Sequence, residues 1–376
     1  MAQAVVLGQT YGMLSGNPCD LLMAESFHGT IIAWARQAGI FRAKDSLQSV
    51  DLLDTSDLES TWRSWARAEE TIRVVLALHI HDSQLSAAFH HEPLMRHEPG
   101  RLSPCCPDQL FTAPTAAQWH AMATSIHPSP ASKEPRGPTS RAAPGELLPY
   151  AMMYYAYAVL AGHLSAICDA RCGTLSDTCA RDLRNRLTSW YKDHYSGIHN
   201  QSRDTFWLMV LWHEAFMTLY VSMDLLELVI GRDGPQIRDE DAKHVRSWVN
   251  ELDGRRCLVH SILIYERLKA LPISAEPAIH VPRALFYAGL VIYFHVKFGP
   301  VDATHGDVEV PELQDMLPQS TVDGVSATNP RFDSSMLHGI TDLLRRQGHW
   351  GLCRQFASIL EVLVDDLIDS AMGSSI

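Results

Sequence analysis

The stretch Arg203–Pro235, RDTFWLMVLWHEAFMTLYVSMDLLELVIGRDGP, decides the fold. It holds few charges, and neither Pro nor Gly interrupts it before Gly231. Read as one helix over about residues 204–230, it extends roughly 40 Å at 1.5 Å per residue. At 100° per residue His213, Asp224 and Glu227 fall within about 60° of one another. They form a candidate buried polar ridge, while Glu214, Thr218 and Ser222 make a second, separate strip. The rest of the circumference is Phe, Trp, Leu, Met, Val and Tyr. A helix with only narrow polar ridges is buried on most sides, so this segment is expected to be the central post of an all-α, multi-helix array. Gly231 supplies the stop, and Asp233-Gly234-Pro235 the turn that follows.

Helical patterns continue on both sides. Downstream, Gln236–Leu252 and Arg255–Leu271 read as helices joined at Gly254. The three prolines between Pro272 and Pro282 impose extended chain. Arg283–Phe298 is an apolar helix stopped by Gly299-Pro300, and two further helices lie near Ser335–Arg346 and Gly351–Asp369. Upstream, Ser176–Tyr191 places Leu183, Leu187 and Trp190 at helical spacing. Ala116–Ala123 carries Trp119. Ser56 and Glu59 have capping-box spacing before a long helix with Trp62, Trp65, Ile72, Leu76 and Ile80, running towards Phe89. Cys19–Ala38 reads as a helix with Leu21, Leu22, Phe27, Ile31 and Trp34 inward. No segment alternates at period two. The organisation read from this is an N-terminal helical part (1–125), a Pro/Ser-rich mobile loop (126–146), a central helical part of the same domain (147–300), an acidic loop (301–330) and C-terminal helices (331–376).

The 376 residues are 46% apolar and 20% charged, which suits a large packed core and excludes a disordered acidic chain. A net charge of −12 argues against a whole-chain electrostatic hold on nucleic acid or anionic membrane. The eight cysteines are irregularly spaced in a long chain, the pattern of reduced intracellular thiols. The N-terminus lacks the basic region of a signal peptide. Residues 147–168 are free of formal charge for a length that spans a bilayer. Pro149, four tyrosines, His163 and the lack of a basic flank favour a buried helix instead.

No catalytic constellation emerges. Cys172, Cys179, His194 and His199 imitate a two-Cys/two-His zinc site, but six residues separate the cysteines where the knuckle needs two to four. His79, His81, His90, His91 and His97 are numerous, yet residues two apart on a helix do not face one another, and packed or solvated histidines are the reading. His213-Glu214 lacks the second His one turn on that a zincin needs; Met217 stands there. Asp365, Asp366 and Asp369 have the spacing of a diphosphate-holding metal motif but sit at the chain end without a second motif, as a solvated acidic helix end does. No cofactor is expected.

Several blocks, in order, resemble the fungal-specific transcription factor domain, the middle homology region of fungal zinc-finger regulators. Trp212-His213, Asp224-Leu225-Leu226-Glu227 and Gly231-Arg232-Asp233-Gly234 carry most of the likeness. Arg256-Cys257 with His260, PISAEPAIHVPRALFYAGLVIY, Ala24-Glu25-Ser26-Phe27-His28-Gly29-Thr30 with Trp34, WRSWARAEETIRVVLALHIHD with HHEPLMRH, and the segment from Leu110 to Trp119 fit the same pattern. The likeness covers most of residues 10–300. It implies a helical regulatory and interaction region of a nuclear transcription regulator, of the kind that controls nutrient use or secondary metabolism, with no catalytic residues. In that family a DNA-binding zinc module precedes the region; this sequence starts inside the region, so zinc is expected only in an upstream module. A protein partner or self-association is expected, with no strong nucleic-acid binding by this chain and no membrane.

A second reading is a stand-alone α-helical enzyme or small-molecule binder on the same scaffold. It rests on the ridge His213, Asp224 and Glu227 in a nearly apolar helix. The two readings of the ridge differ in structure. Carboxylates bridged to Arg on neighbouring helices are structural, because buried carboxylates need partners. A polar-lined cavity beside them points to a ligand.

Overall fold

The computed structural model describes residues 2–43, 46–47, 50–52, 56–126, 150–195, 204–234, 236, 238–269, 271–272, 276–299, 310–314 and 334–373. Among them are fifteen α-helices and no strand. In chain order these are α1 (Ala2–Leu14), α2 (Pro18–Gln37), α3 (Leu58–Phe89), α4 (Asp108–Phe111), α5 (Ala116–Ile126), α6 (Tyr150–Cys172), α7 (Asp177–Trp190), α8 (Leu208–Tyr220), α9 (Met223–Val229), α10 (Asp239–Asn250), α11 (Leu252–Leu268), α12 (Val281–Phe298), α13 (Pro311–Gln314), α14 (Ser334–Arg346) and α15 (Gly351–Gly373). Most of the Pro/Ser-rich 126–146 segment and of the acidic 301–330 segment lies outside the described residues.

Helix α8 is the post around which the others stand. All its residues are buried, and α6, α7, α11 and α12 surround it. Outside α6 lies α3, about 48 Å long at its 32 residues. Outside α12 the α14–α15 hairpin closes the core, and α1 and α2 pack as a pair beside α3. One hydrophobic cluster joins Ile72, Leu76 and Ile80 of α3 with α6, α8, α12 and α15, so the helices before and after the 126–146 segment share a core. A satellite cluster under α5 packs Trp65 against Trp119, ring centroids 5.3 Å apart. Ala151–Cys172 is apolar and long enough to cross a bilayer, but here 72% of its apolar window is buried inside the array.

The central stretch is not one helix. It begins at Leu208, where the Asp204 carboxylate accepts from the Leu208 and Met209 amides at 2.7 and 3.1 Å. It breaks after Tyr220, with Val221 extended at φ −146°, ψ 151°. Ser222 then caps α9 by accepting from the Leu225 amide, with Asp224 in the first turn. The break frees carbonyls of the last turn of α8. Arg171 of α6 satisfies two of them, donating to the Thr218 and Leu219 carbonyls at 2.8 and 2.5 Å. Ser222 followed by an acidic residue was the local sign of a new start, but a charged partner from another helix makes the break tolerable in the core.

Two other expectations change. Asp57, not Ser56, accepts from the Ser60 amide and caps α3. On α2 only Ile31 of the apolar set expected inside is buried. Leu22, Phe27 and Trp34 are 58%, 57% and 41% exposed. The inward face is Ala24, His28, Ile31, Ile32 and Ala35, because α2 turns His28 onto Asp82 of α3.

Candidate functional site

The carboxylates of the expected ridge sit on α9, and the chain closes on them from its own turn. The helix ends in a glycine stop: the Gly231 amide donates to the Leu228 carbonyl and the Arg232 amide to the Glu227 carbonyl. Gly231 has φ 93°, which few other residues adopt without strain. That reversal brings Arg232 back over the helix, its guanidinium 2.7 Å from Asp224, 3.2 Å from Glu227 and 3.0 Å from Asp233. His90, in the left-handed conformation that ends α3, lies 3.1 Å from the same Glu227 oxygen, Oε2, that Arg232 meets. Burial pushes the Glu227 carboxyl up, but His90, Arg283 and Arg232 outweigh it and hold it below its ordinary value. The arginine partner was expected from a neighbouring helix; it comes instead from the turn after α9.

Cavities flank this cluster. One, about 320 Å³, is bordered by Thr218, Ser222, Asp224, His90, Arg171 and Tyr287. The other, about 460 Å³, has Glu227, Ile230 and Arg232 on one wall and Arg283, Phe286 and Phe356 on another. Its rim is drawn tight where Gly16, at φ 73°, packs directly on the backbone of Gly351, a contact that leaves no room for a Cβ. Phe286 and Phe356 stack with centroids 4.2 Å apart and planes within 5°. Arg283 is 8% exposed and lies 5.8 Å from the Phe356 ring centre. Burial works against its charge, but Tyr287, Glu227 and Glu214 raise its pKa above the ordinary arginine value.

His213 does not join Asp224 and Glu227. With the helix broken at Val221–Ser222 it faces α11 instead. Its Nδ1 lies 2.9 Å from Nδ1 of His260, so one ring donates and the other accepts. His260 Nε2 is 3.2 Å from Glu312, to which the Tyr220 hydroxyl also donates. Burial and the neighbouring His260 keep His213 well below the usual histidine range. Glu312 is pushed up by burial but pulled down further, to about 2, by His260 and Tyr220. His213, His260 and Glu312 are all at most 3% exposed, and this relay fastens the short helix α13 onto α8 and α11. Glu312 lies in the segment read as an acidic loop. Its only signal was Pro311 opening a turn between the apolar Val310 and Leu313.

The histidines of α3 form a further buried network. Asp82 accepts from His28 and His97 at 3.0 and 2.8 Å and from the Leu94 and Met95 amides. His79 lies 3.0 Å from His97, while His81 meets Thr10 and Gln9 on another face. The network ties α1, α2, α3 and the segment after His90 together. The sequence did not single out His28 or Asp82 as its centre. Of the terminal acidic set, Asp366 is engaged by Lys297 and Tyr293. His199 of the imitated zinc set lies outside the described residues. No group of three or more His, Cys, Asp or Glu placed to hold a metal occurs among the described residues. Comparison with protein-family models, with curated proteins and with solved structures gives no match for this chain.

Proposed function

We propose that this chain is a regulatory and interaction region of the fungal transcription-regulator type, acting by a conformational response to a small molecule and not by chemistry on it. The observation that carries the ligand part is the 460 Å³ cavity, which has the size and mixed lining of a small-molecule site. It lies where α1, α2, the end of α3, α9, α12 and α15 meet, so an occupant touches elements far apart in sequence at once. The regulatory part rests on the ordered sequence blocks, and the central block, Trp212 to Gly234, builds the post and one cavity wall. An exposed apolar strip on α1 and α2, with Leu7 70%, Tyr11 60% and Phe27 57% exposed, supports a protein partner or self-association.

The test tethers the chain to a heterologous DNA-binding domain in a fungal host carrying a reporter. A change of transcription in either direction is expected, and its loss when Trp34 and Phe27 are both replaced by Glu. A chain that leaves the reporter unmoved in every tethered arrangement overturns the regulatory reading. The second reading, a stand-alone small-molecule binder, draws on the same cavity and predicts ligand binding with an unmoved reporter.

A further inference from the structure

We infer that the cavity between α9, α12 and α15 takes a monocarboxylate with an apolar or aromatic body, its carboxylate on Arg283. This rests on the ligand-binding part of the reading above. The cavity is chemically lopsided. Its body is apolar, with Met13, Leu21, Ile230 and Ile359 around the Phe286–Phe356 stack. Its charged groups are Arg283, Arg232 and Glu227. Arg232 and Glu227 already engage each other, and Arg232 also holds Asp224 and Asp233. Arg283 is different. It is buried, and among the described residues no carboxylate forms an ion pair with it; the uncharged Tyr287 ring lies beside it, 6.0 Å from the guanidinium carbon to the ring centre. A guanidinium carries five N–H donors, arranged to grip a carboxylate in two places. Glu227 favours the Arg283 charge from a distance without pairing with it directly, so a ligand carboxylate can take donors that the protein leaves open.

The surrounding backbone points the same way. Three long helices begin at this cavity: α2 with Pro18 and Leu21 on the wall, α12 with Arg283 and Phe286, and α15 with Leu352 and Phe356. Their N-termini carry partial positive charge, which favours an anion. The C-terminal end of α9 opposes them, but its terminal carbonyls are closed by the glycine stop. A cationic ligand would face Arg283 and the three helix starts with Glu227 as the one carboxylate among the described lining residues, and that carboxylate is already shared by Arg232 and His90.

The probes are phenylbutyrate, phenylbutanol and phenylbutylamine, which share a body and differ in the head group. Each is titrated into the purified full chain by ligand-observed NMR and calorimetry. The carboxylate is expected to bind more tightly than the alcohol by about 10- to 100-fold, the range for a hydrogen-bonded charged group, and the amine not at all. Arg283→Gln should remove the preference for the carboxylate while the alcohol still binds. Should that variant fail to fold, Ile359→Trp, which fills the apolar end, is expected to abolish binding of both without touching Arg283. Equal binding of acid and alcohol to the natural chain overturns the carboxylate assignment and leaves a merely apolar ligand cavity. Binding of none of the three overturns the assignment and the ligand-binding reading together. Tight carboxylate binding with an unmoved reporter retains the site and removes the regulatory role.

Discussion

Replacing Glu214 by Gln should stabilise the protein, and by an amount that depends on pH. Glu214 lies on α8 beside His213, is 0% exposed, and neither carboxyl oxygen has a hydrogen-bond partner among the described residues. Burial pushes its pKa from 4.5 to about 8, although Arg283 pulls the other way. The group is therefore neutral in the folded chain and ionised in the unfolded chain across that interval. The folded state holds the extra proton, so stability is full below pH 4.5 and is lost as pH rises through about 8. At roughly 1.4 kcal/mol per pH interval, the whole loss is on the order of 5 kcal/mol. Gln has the shape of the protonated acid and does not titrate. Urea unfolding of both chains at a series of pH values should give near-equal stabilities below pH 5, and a variant more stable by roughly 3–5 kcal/mol at pH 8. An offset that stays constant across the series would refute the reasoning, as would a variant that is the weaker of the two at pH 8. Either result would mean that Glu214 finds a partner when ionised.

On the acid side the sign reverses. Burial holds His79 and His81 at about 3 and His163 and His280 at about 4, so unfolding takes up protons once pH falls below 6.5. Stability should fall steeply between pH 6.5 and 4, by more than about 1.4 kcal/mol per pH interval since several groups act together, and His81→Gln should flatten that slope in the same urea series. Arg171→Met should cost about 2–4 kcal/mol, because two freed carbonyls at the end of α8 lose their charged donor; an unchanged unfolding midpoint would show that the α8–α9 break needs no outside partner. Phe27→Glu, at a site 57% exposed, should leave the unfolding midpoint within about 0.5 kcal/mol of the natural chain while reducing any concentration-dependent self-association seen by sedimentation.

The helical reading of the chain was legible because helix formation is a local matter. Apolar residues at helical spacing marked α3, α6, α7, α11, α12, α14 and α15, and glycine marked the end of α9 and the start of α11, where a Cβ at Gly254 would strike the Trp248 carbonyl. The ridge of His213, Asp224 and Glu227 failed for a reason the same periodicity cannot detect. It assumed an unbroken helix through Val221 and Ser222. Asp224 and Glu227 stand out in the sequence as charges in an apolar segment that need partners; both meet Arg232 from their own turn, with Glu227 buried and the Asp224 side chain 41% exposed. His213 goes to His260 and Glu312, the latter nearly a hundred positions away in the chain, on a segment whose acidity suggested solvent.

What the sequence determined by itself is therefore most of the helices, α1, α4 and α13 excepted, with their approximate ends, and the presence of buried charge along the central stretch. What only the tertiary structure decided is where that stretch breaks and which charges meet. A helix can stop inside a core only if its freed carbonyls are satisfied, and here Arg171 of α6 does so from 47 residues away. The same holds for the cavity, whose walls come from six helices and whose buried Arg283 forms no ion pair among the described residues: pairing depends on which elements pack together, and no local pattern encodes that.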